Sequence, residues 1–197
     1  MITDQKRFEA AIARFDELNS EDPHTEYVNG KAYPKELLYA LRMTDWLNKI
    51  EPGASEALQL AVRCQHLCRW KIQRDEYPMD RQGYHVWRTI LRKKHAEWAG
   101  EALKEVGYDQ ETIDRVQFLV LKKQLKVDPE VQLLEDIVCL VFLENYFLDF
   151  AQSHEDEKVV EIIQKSWVKM TPRGQQLALN LDMPPKARSL VAQALAE

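Results

Sequence analysis

Apolar residues recur every three or four positions along most of this chain, the period of a helix buried on one face. Phe8, Ile12, Phe15 and Leu18 mark a first helix over 6–18. The breakers Asn19, Ser20, Asp22, Pro23, Asn29 and Gly30 predict a loop after it. Pro34 opens a second helix carrying Leu37, Leu38, Leu41, Trp46, Leu47 and Ile50, and Pro52–Gly53 closes it. Ser55 is placed to cap a third helix, expected to run to Gln73. The stretch 74–83, with Asp75, Pro78, Asp80 and Gly83, predicts a second loop.

A long helix is expected over 84–106, its apolar face formed by Trp87, Leu91, Trp98, Ala102 and Val106, with Gly107 as the residue that ends it. Asp109 caps the next, which turns Ile113, Val116, Leu119 and Val120 inward. Asp128–Pro129 starts a helix expected to reach Phe150. From Val131 to Leu143 that helix is apolar nearly all round, the mark of a central, buried element. Ser153 and Asp156 have capping-box spacing ahead of Val159, Ile163 and Trp167. Thr171–Pro172 and Met183–Pro184–Pro185 open two short C-terminal helices. No segment predicts a strand. The expected fold is all-α, a compact single-domain helical bundle of about eight helices over residues 1–197.

Composition agrees with that picture. A chain of 197 residues suits one domain, and 8 Pro with 6 Gly are too few turn formers for an all-β fold. Three cysteines, Cys64, Cys68 and Cys139, make no disulfide framework. Cys64 and Cys68 lie one helical turn apart, but no second pair completes a zinc site, so they are expected as small buried residues. The N-terminus shows no basic start with an apolar run behind it, and no window is apolar enough to span a membrane. A cytoplasmic protein with no membrane association is expected.

Charge changes the picture. The net charge is −5, yet Arg63 to Lys94 holds nine Lys and Arg against three Asp and Glu, so that segment carries +6 and the remainder −11. Positive charge gathered in an acidic protein points to an anionic ligand. Six of the nine are Arg, the better bidentate partner for phosphate or carboxylate. Aromatic residues are interleaved. Arg63, Arg69, Trp70, Arg81, Tyr84, Trp87 and Arg88 are therefore the candidate ligand-binding residues, for a small anionic metabolite or nucleotide. A nucleic-acid groove is disfavoured, because the field of the whole chain repels polyanions. The plainer alternative makes Trp70 and Trp87 core residues and the basic side chains a solvated face.

Two histidines and two carboxylates complete the set. His66 shares a helical face with Arg63 and Trp70 in the run Arg63–Trp70, and His95 follows Leu91 on an inward face. Glu135 and Asp136 sit inside the most apolar helix, where an unpaired carboxylate costs several kcal/mol. His66, Asp136 and Glu135 are the candidate catalytic residues. His66, His95 and Asp136 together would suit a divalent metal.

The set Arg63–Gln65–His66–Arg69–Trp70, then Tyr77–Pro78, Asp80–Arg81–Gly83–Tyr84–Trp87–Arg88, then Leu134–Glu135–Asp136 with Cys139–Glu144, resembles a family catalogued as domain of unknown function 4202. Asp22–Pro23, Pro34–Tyr39, Arg42–Thr44 and Lys169–Met170 fit it too. A weaker resemblance is to the HD superfamily of helical metal-dependent phosphohydrolases, with His66 in place of its first His and Asp136 in place of its distal Asp. The His-Asp dipeptide of that superfamily is missing, and Ala96 follows His95. This resemblance implies an HD-domain-like fold and phosphoester hydrolysis. Three functions follow as expectations. One is hydrolysis, with a metal at His66, His95 and Asp136 and arginines on the phosphate. Another is non-catalytic capture of an anion. The last is an interaction protein in which Arg69, Arg81 and Arg88 form a structural network with Glu135, Asp136 and Glu144.

Overall fold

Short polar residues open most of the helices, and their side chains satisfy backbone donors that have no partner inside a helix. In the computed structural model, which describes residues 2–196, Asp4, Ser55, Asp80, Asp109, Asp128 and Thr171 each accept from an N–H of the first turn. The helices so begun are α1 (Gln5–Ser20), α3 (Glu56–Arg63), α4 (Arg81–Glu105), α5 (Gln110–Val120), α6 (Pro129–Asn145) and α9 (Pro172–Leu179). The others are α2 (Lys35–Ile50), α7 (Phe147–Gln152), α8 (Asp156–Trp167) and α10 (Pro185–Ala196). The chain is mostly helical, as its periodicity predicts. No helix among the described residues is long and apolar enough to cross a membrane.

The chain divides into two compact units, one ending at Lys123 and the other beginning at Gln124. In the first, α3 packs against α1, α2 and α5, and α4 lies along α5 and α1. Phe15, Met43, Leu47, Leu58, Leu60, Leu91, Leu103 and Leu119 form its buried centre. In the second, α6 buries Val131, Leu134, Ile137, Leu140 and Val141, as its all-round apolarity predicts. It packs against α7 and α9, while α10 covers α7 and α8.

Five local expectations need correction. The loop after α1 contains an antiparallel hairpin, β1 (Thr25–Val28) with β2 (Lys31–Pro34), paired Val28 to Lys31. Its two turn residues, Asn29 (φ 50°) and Gly30 (φ 77°), are left-handed, and Asn-Gly is the preferred pair for such a tight turn. The third helix stops at Arg63 rather than Gln73. Beyond it the backbone closes three-residue turns, Leu67 N–H to Cys64 O and Arg69 N–H to His66 O. Cys68 there is left-handed (φ 55°) and donates its N–H to Asn19 Oδ1 at 2.9 Å. A bond from the end of α1 therefore breaks the helix.

The helix expected from Tyr84 begins earlier, because Asp80 caps it through Gly83 N–H at 2.7 Å. A Cβ on Gly83 would lie 2.1 Å from Pro78 O, so only glycine fits. The helix expected to reach Phe150 ends at Asn145, whose Nδ2 donates to Val141 O. Tyr146 leaves helical geometry, and α7 starts with Phe147 fully buried. The Ser153–Asp156 box is also absent. Ser153 Oγ donates to Phe150 O instead, and Glu155 precedes α8 without a capping bond.

Candidate functional site

The site is built where the end of α1 holds two other segments. Pro34 precedes α2 and can cap nothing with its side chain. Asp22 does the work from outside the helix: its Oδ2 accepts from Glu36 N–H at 3.0 Å, and its Oδ1 from His24 N–H at 2.9 Å. Asn19 accepts from Cys68 N–H through Oδ1 and reaches Glu36 O with Nδ2 at 3.5 Å. One buried asparagine thus ties the first turn of α2 to the turn after α3, and Glu36 is set beside His66 and Arg69.

Glu36 Oε2 lies 3.5 Å from His66 Nδ1, and its Oε1 lies 3.7 Å from Arg69 Nε. The His66 ring stacks on Tyr39, centroids 4.1 Å apart and planes 13° from parallel. On another side it meets the His95 ring at 5.7 Å. The Arg69 guanidinium lies 4.8 Å over the Trp87 ring, and that of Arg88 lies 5.7 Å over Tyr84. His66 keeps 22% of its side-chain surface exposed, so the cluster opens to solvent there.

Burial governs the ionisation of the cluster. It pushes the Glu36 carboxyl up to about 7, with Asp22 adding to the rise and Arg69 and His95 opposing it. It holds His66 well below the usual histidine range, and the nearby charges of Arg69, Lys122 and Arg88 push the same way. His95 falls to about 3, again chiefly by burial and then by His66. Both imidazoles are neutral at pH 7. His95 Nδ1 lies 2.7 Å from Leu67 O, which only accepts, so Nδ1 carries the proton. Its Nε2 is buried and has no hydrogen-bond partner.

The family model described as Domain of unknown function (DUF4202) matches residues 9–191. The chain belongs to that family. Searches of curated proteins and of solved structures returned no match.

The residues singled out from the sequence of this DUF4202 protein fall into distinct groups. His66, His95, Arg69, Trp87, Tyr84 and Arg88 gather around the cluster just described. Trp87 is buried and donates Nε1–H to Ile72 O at 3.1 Å. Trp70 is partly buried, with Lys71 5.1 Å over its ring. Arg81 is exposed at the start of α4. Arg63 is buried and forks onto both oxygens of Asp16, at 2.7 and 2.6 Å, with a third bond to Thr44 Oγ1. Its guanidinium ties α3 to α1 and α2.

Glu135 and Asp136 belong to the second unit. Glu135 is buried with Lys169 Nζ at 4.0 Å. Asp136 accepts from Thr171 N–H at 2.8 Å and Thr171 Oγ1–H at 2.5 Å. Among the described residues, no group of three or more His, Cys, Asp and Glu side chains is placed to hold a metal ion. With the Asp136 oxygens taken by Thr171, the donor set does not fit a resident divalent metal. The three cysteines are buried, and none is in a disulfide.

Sequence reasoning did not single out Glu36, Tyr39 or Lys122. A signal for the first existed: Glu36 lies on the stripe Tyr39, Ala40, Met43, Leu47 and Ile50, a charged residue on a buried helix face.

Proposed function

We propose that this DUF4202 protein binds a small phosphate-bearing anion at the exposed part of the His66 side chain. One observation carries the reading: a neutral imidazole, braced by Glu36 and stacked on Tyr39, lies in the field of Arg69, Arg88 and Lys122. An anion seated there lies in the attractive field of these cations and makes charge-assisted bonds, worth roughly 1.5–3 kcal/mol each. It also raises the His66 pKa, so binding takes up protons below neutral pH. Calorimetric titration with inorganic phosphate and with AMP tests this. Saturable binding is expected that weakens about tenfold or more in Arg88→Ala and falls with rising salt. Absence of saturable binding at ligand concentrations on the order of 10 mM would overturn it.

The Glu36–His66 pair favours a catalytic version of the same reading. With Nδ1 facing a carboxylate, His66 presents Nε2 as a base toward a water molecule attacking a phosphoester. Hydrolysis of a nucleotide panel, abolished by His66→Gln while phosphate still binds, is the expected result for an enzyme. Binding without turnover assigns a capture protein instead.

A further inference from the structure

His95 carries an acceptor that the protein leaves unused in a place where that is costly. The residue is 2% exposed. Its Nδ1 is committed to Leu67 O at 2.7 Å, so Nε2, on the opposite edge of the ring, is a lone-pair acceptor. No donor reaches it among the described residues. Gln65, on the same turn as His66 and 4% exposed, also has an acceptor, Oε1, without a donor. Buried polar atoms are nearly always satisfied by protein, water or ligand. The His95 ring centre lies 5.7 Å from that of His66, so its unmet acceptor is one ring away from the imidazole at which the anion is proposed to bind.

A ligand that satisfies both places must offer a phosphate and, a few bonds away, a hydrogen-bond donor. A neutral donor suits the place better than an ammonium group, which the cations around His66 repel and which the Glu36 carboxyl, raised to about 7, attracts only in part. Resting on the phosphate-binding reading above, we infer that the ligand is a hydroxylated phosphate ester, such as a sugar phosphate or the ribose phosphate of a nucleotide. Its phosphate meets Arg69, Arg88 and Lys122, and its hydroxyl donates to Nε2 of His95.

Calorimetry on the full chain with inorganic phosphate, propyl phosphate, glycerol 3-phosphate and phosphoethanolamine decides the matter. Glycerol 3-phosphate is expected to bind about tenfold or more tighter than propyl phosphate, with phosphoethanolamine weakest. In His95→Asn, whose amide can still donate to Leu67 O, the preference for the hydroxylated ester should vanish while inorganic phosphate binds as before. Should that variant fail to fold, nitrogen NMR of the wild-type imidazoles gives the answer. The His95 Nε2 resonance should move with glycerol 3-phosphate and stay in place with propyl phosphate. Equal affinity for the two esters, or a preference that survives in His95→Asn, would overturn the inference and leave phosphate binding standing. If no phosphate compound binds, both fall together.

Discussion

Oε2 of Glu36 and Nδ1 of His66 lie 3.5 Å apart, and burial disfavours the charged form of each. The consequences for stability run in opposite directions. Glu36 is raised to about 7, so the fold prefers its protonated form. Its contribution is full below about pH 4.5, the ordinary carboxylate range, and is lost as pH rises through 7. Glu36→Gln removes the ionisation. Relative to wild type, the variant should gain roughly 3 kcal/mol between pH 4.5 and 7 and change little above that. Urea unfolding at a series of pH values measures the difference. A pH-independent gap would show that Glu36 is not strained by its burial.

The two histidines work against this. Both pKa values are depressed, so their neutral forms fit the fold. Their contribution is complete above about pH 6.5 and is lost as pH falls toward the folded value, about 3 for His95. His95 alone should remove on the order of 2 kcal/mol between pH 6.5 and 5. Thermal unfolding of His95→Asn should therefore show a flatter acid limb than wild type. An acid limb of unchanged slope would place the titration elsewhere.

These residues differ in how readable they were. Caps such as Asp109 and Asp128 act on backbone two or three residues ahead, so sequence spacing alone located them. The inward face of His95 followed from periodicity, whereas that of His66 was read on a helix that ends at Arg63. Glu36 did not, because its place beside His66 depends on Asp22 and Asn19, fourteen and seventeen residues earlier. Arg63 was read as a ligand group because its partner Asp16 lies forty-seven residues away. The stop after Arg63 was hidden for the same reason, since Asn19 draws Cys68 out of the helix. The hairpin was missed although Asn29–Gly30 announced its turn, because strands of four residues with a mixed burial pattern leave little alternation to see.

Arg63 and Arg88 are chemically alike, and their replacement should separate stability from binding. Arg63→Ala strands the carboxylate of Asp16 and leaves a gap between α1, α2 and α3. Because Asp16 keeps 31% of its side-chain surface exposed, the loss should be about 2–3 kcal/mol, below that of a wholly buried pair. Arg88 is exposed, so Arg88→Ala should change stability by no more than about 0.5 kcal/mol. It should nonetheless weaken phosphate binding about tenfold. Chemical denaturation and calorimetry on the two variants check both halves. The reverse pattern would move the anion site to Arg63.

Asp136 offers the sharpest test of what the second unit does. Its carboxylate takes two hydrogen bonds from Thr171, whose Oγ1 in turn accepts from Gly174 N–H at 3.0 Å to start α9. A Cβ on Gly174 would stand 2.6 Å from the Asp136 carboxyl carbon and 2.8 Å from each oxygen. Thr171 holds that carboxylate in place, so it has little freedom to yield. Gly174→Ala should therefore cost about 1–3 kcal/mol, although alanine is the better helix former. Asp136→Asn keeps an acceptor for Thr171 N–H but turns an amide NH2 toward Thr171 Oγ1, which loses the acceptor of its hydroxyl proton, and should cost about 1 kcal/mol. In a double-mutant cycle with Thr171→Val, Asp136→Ala should show a coupling of roughly 1–3 kcal/mol. Phosphate affinity of the Asp136 variants, measured where they remain folded, separates the two roles proposed for this residue. Unchanged affinity makes it the brace of α9. A loss of affinity beyond the loss of stability would favour the catalytic role read from the sequence.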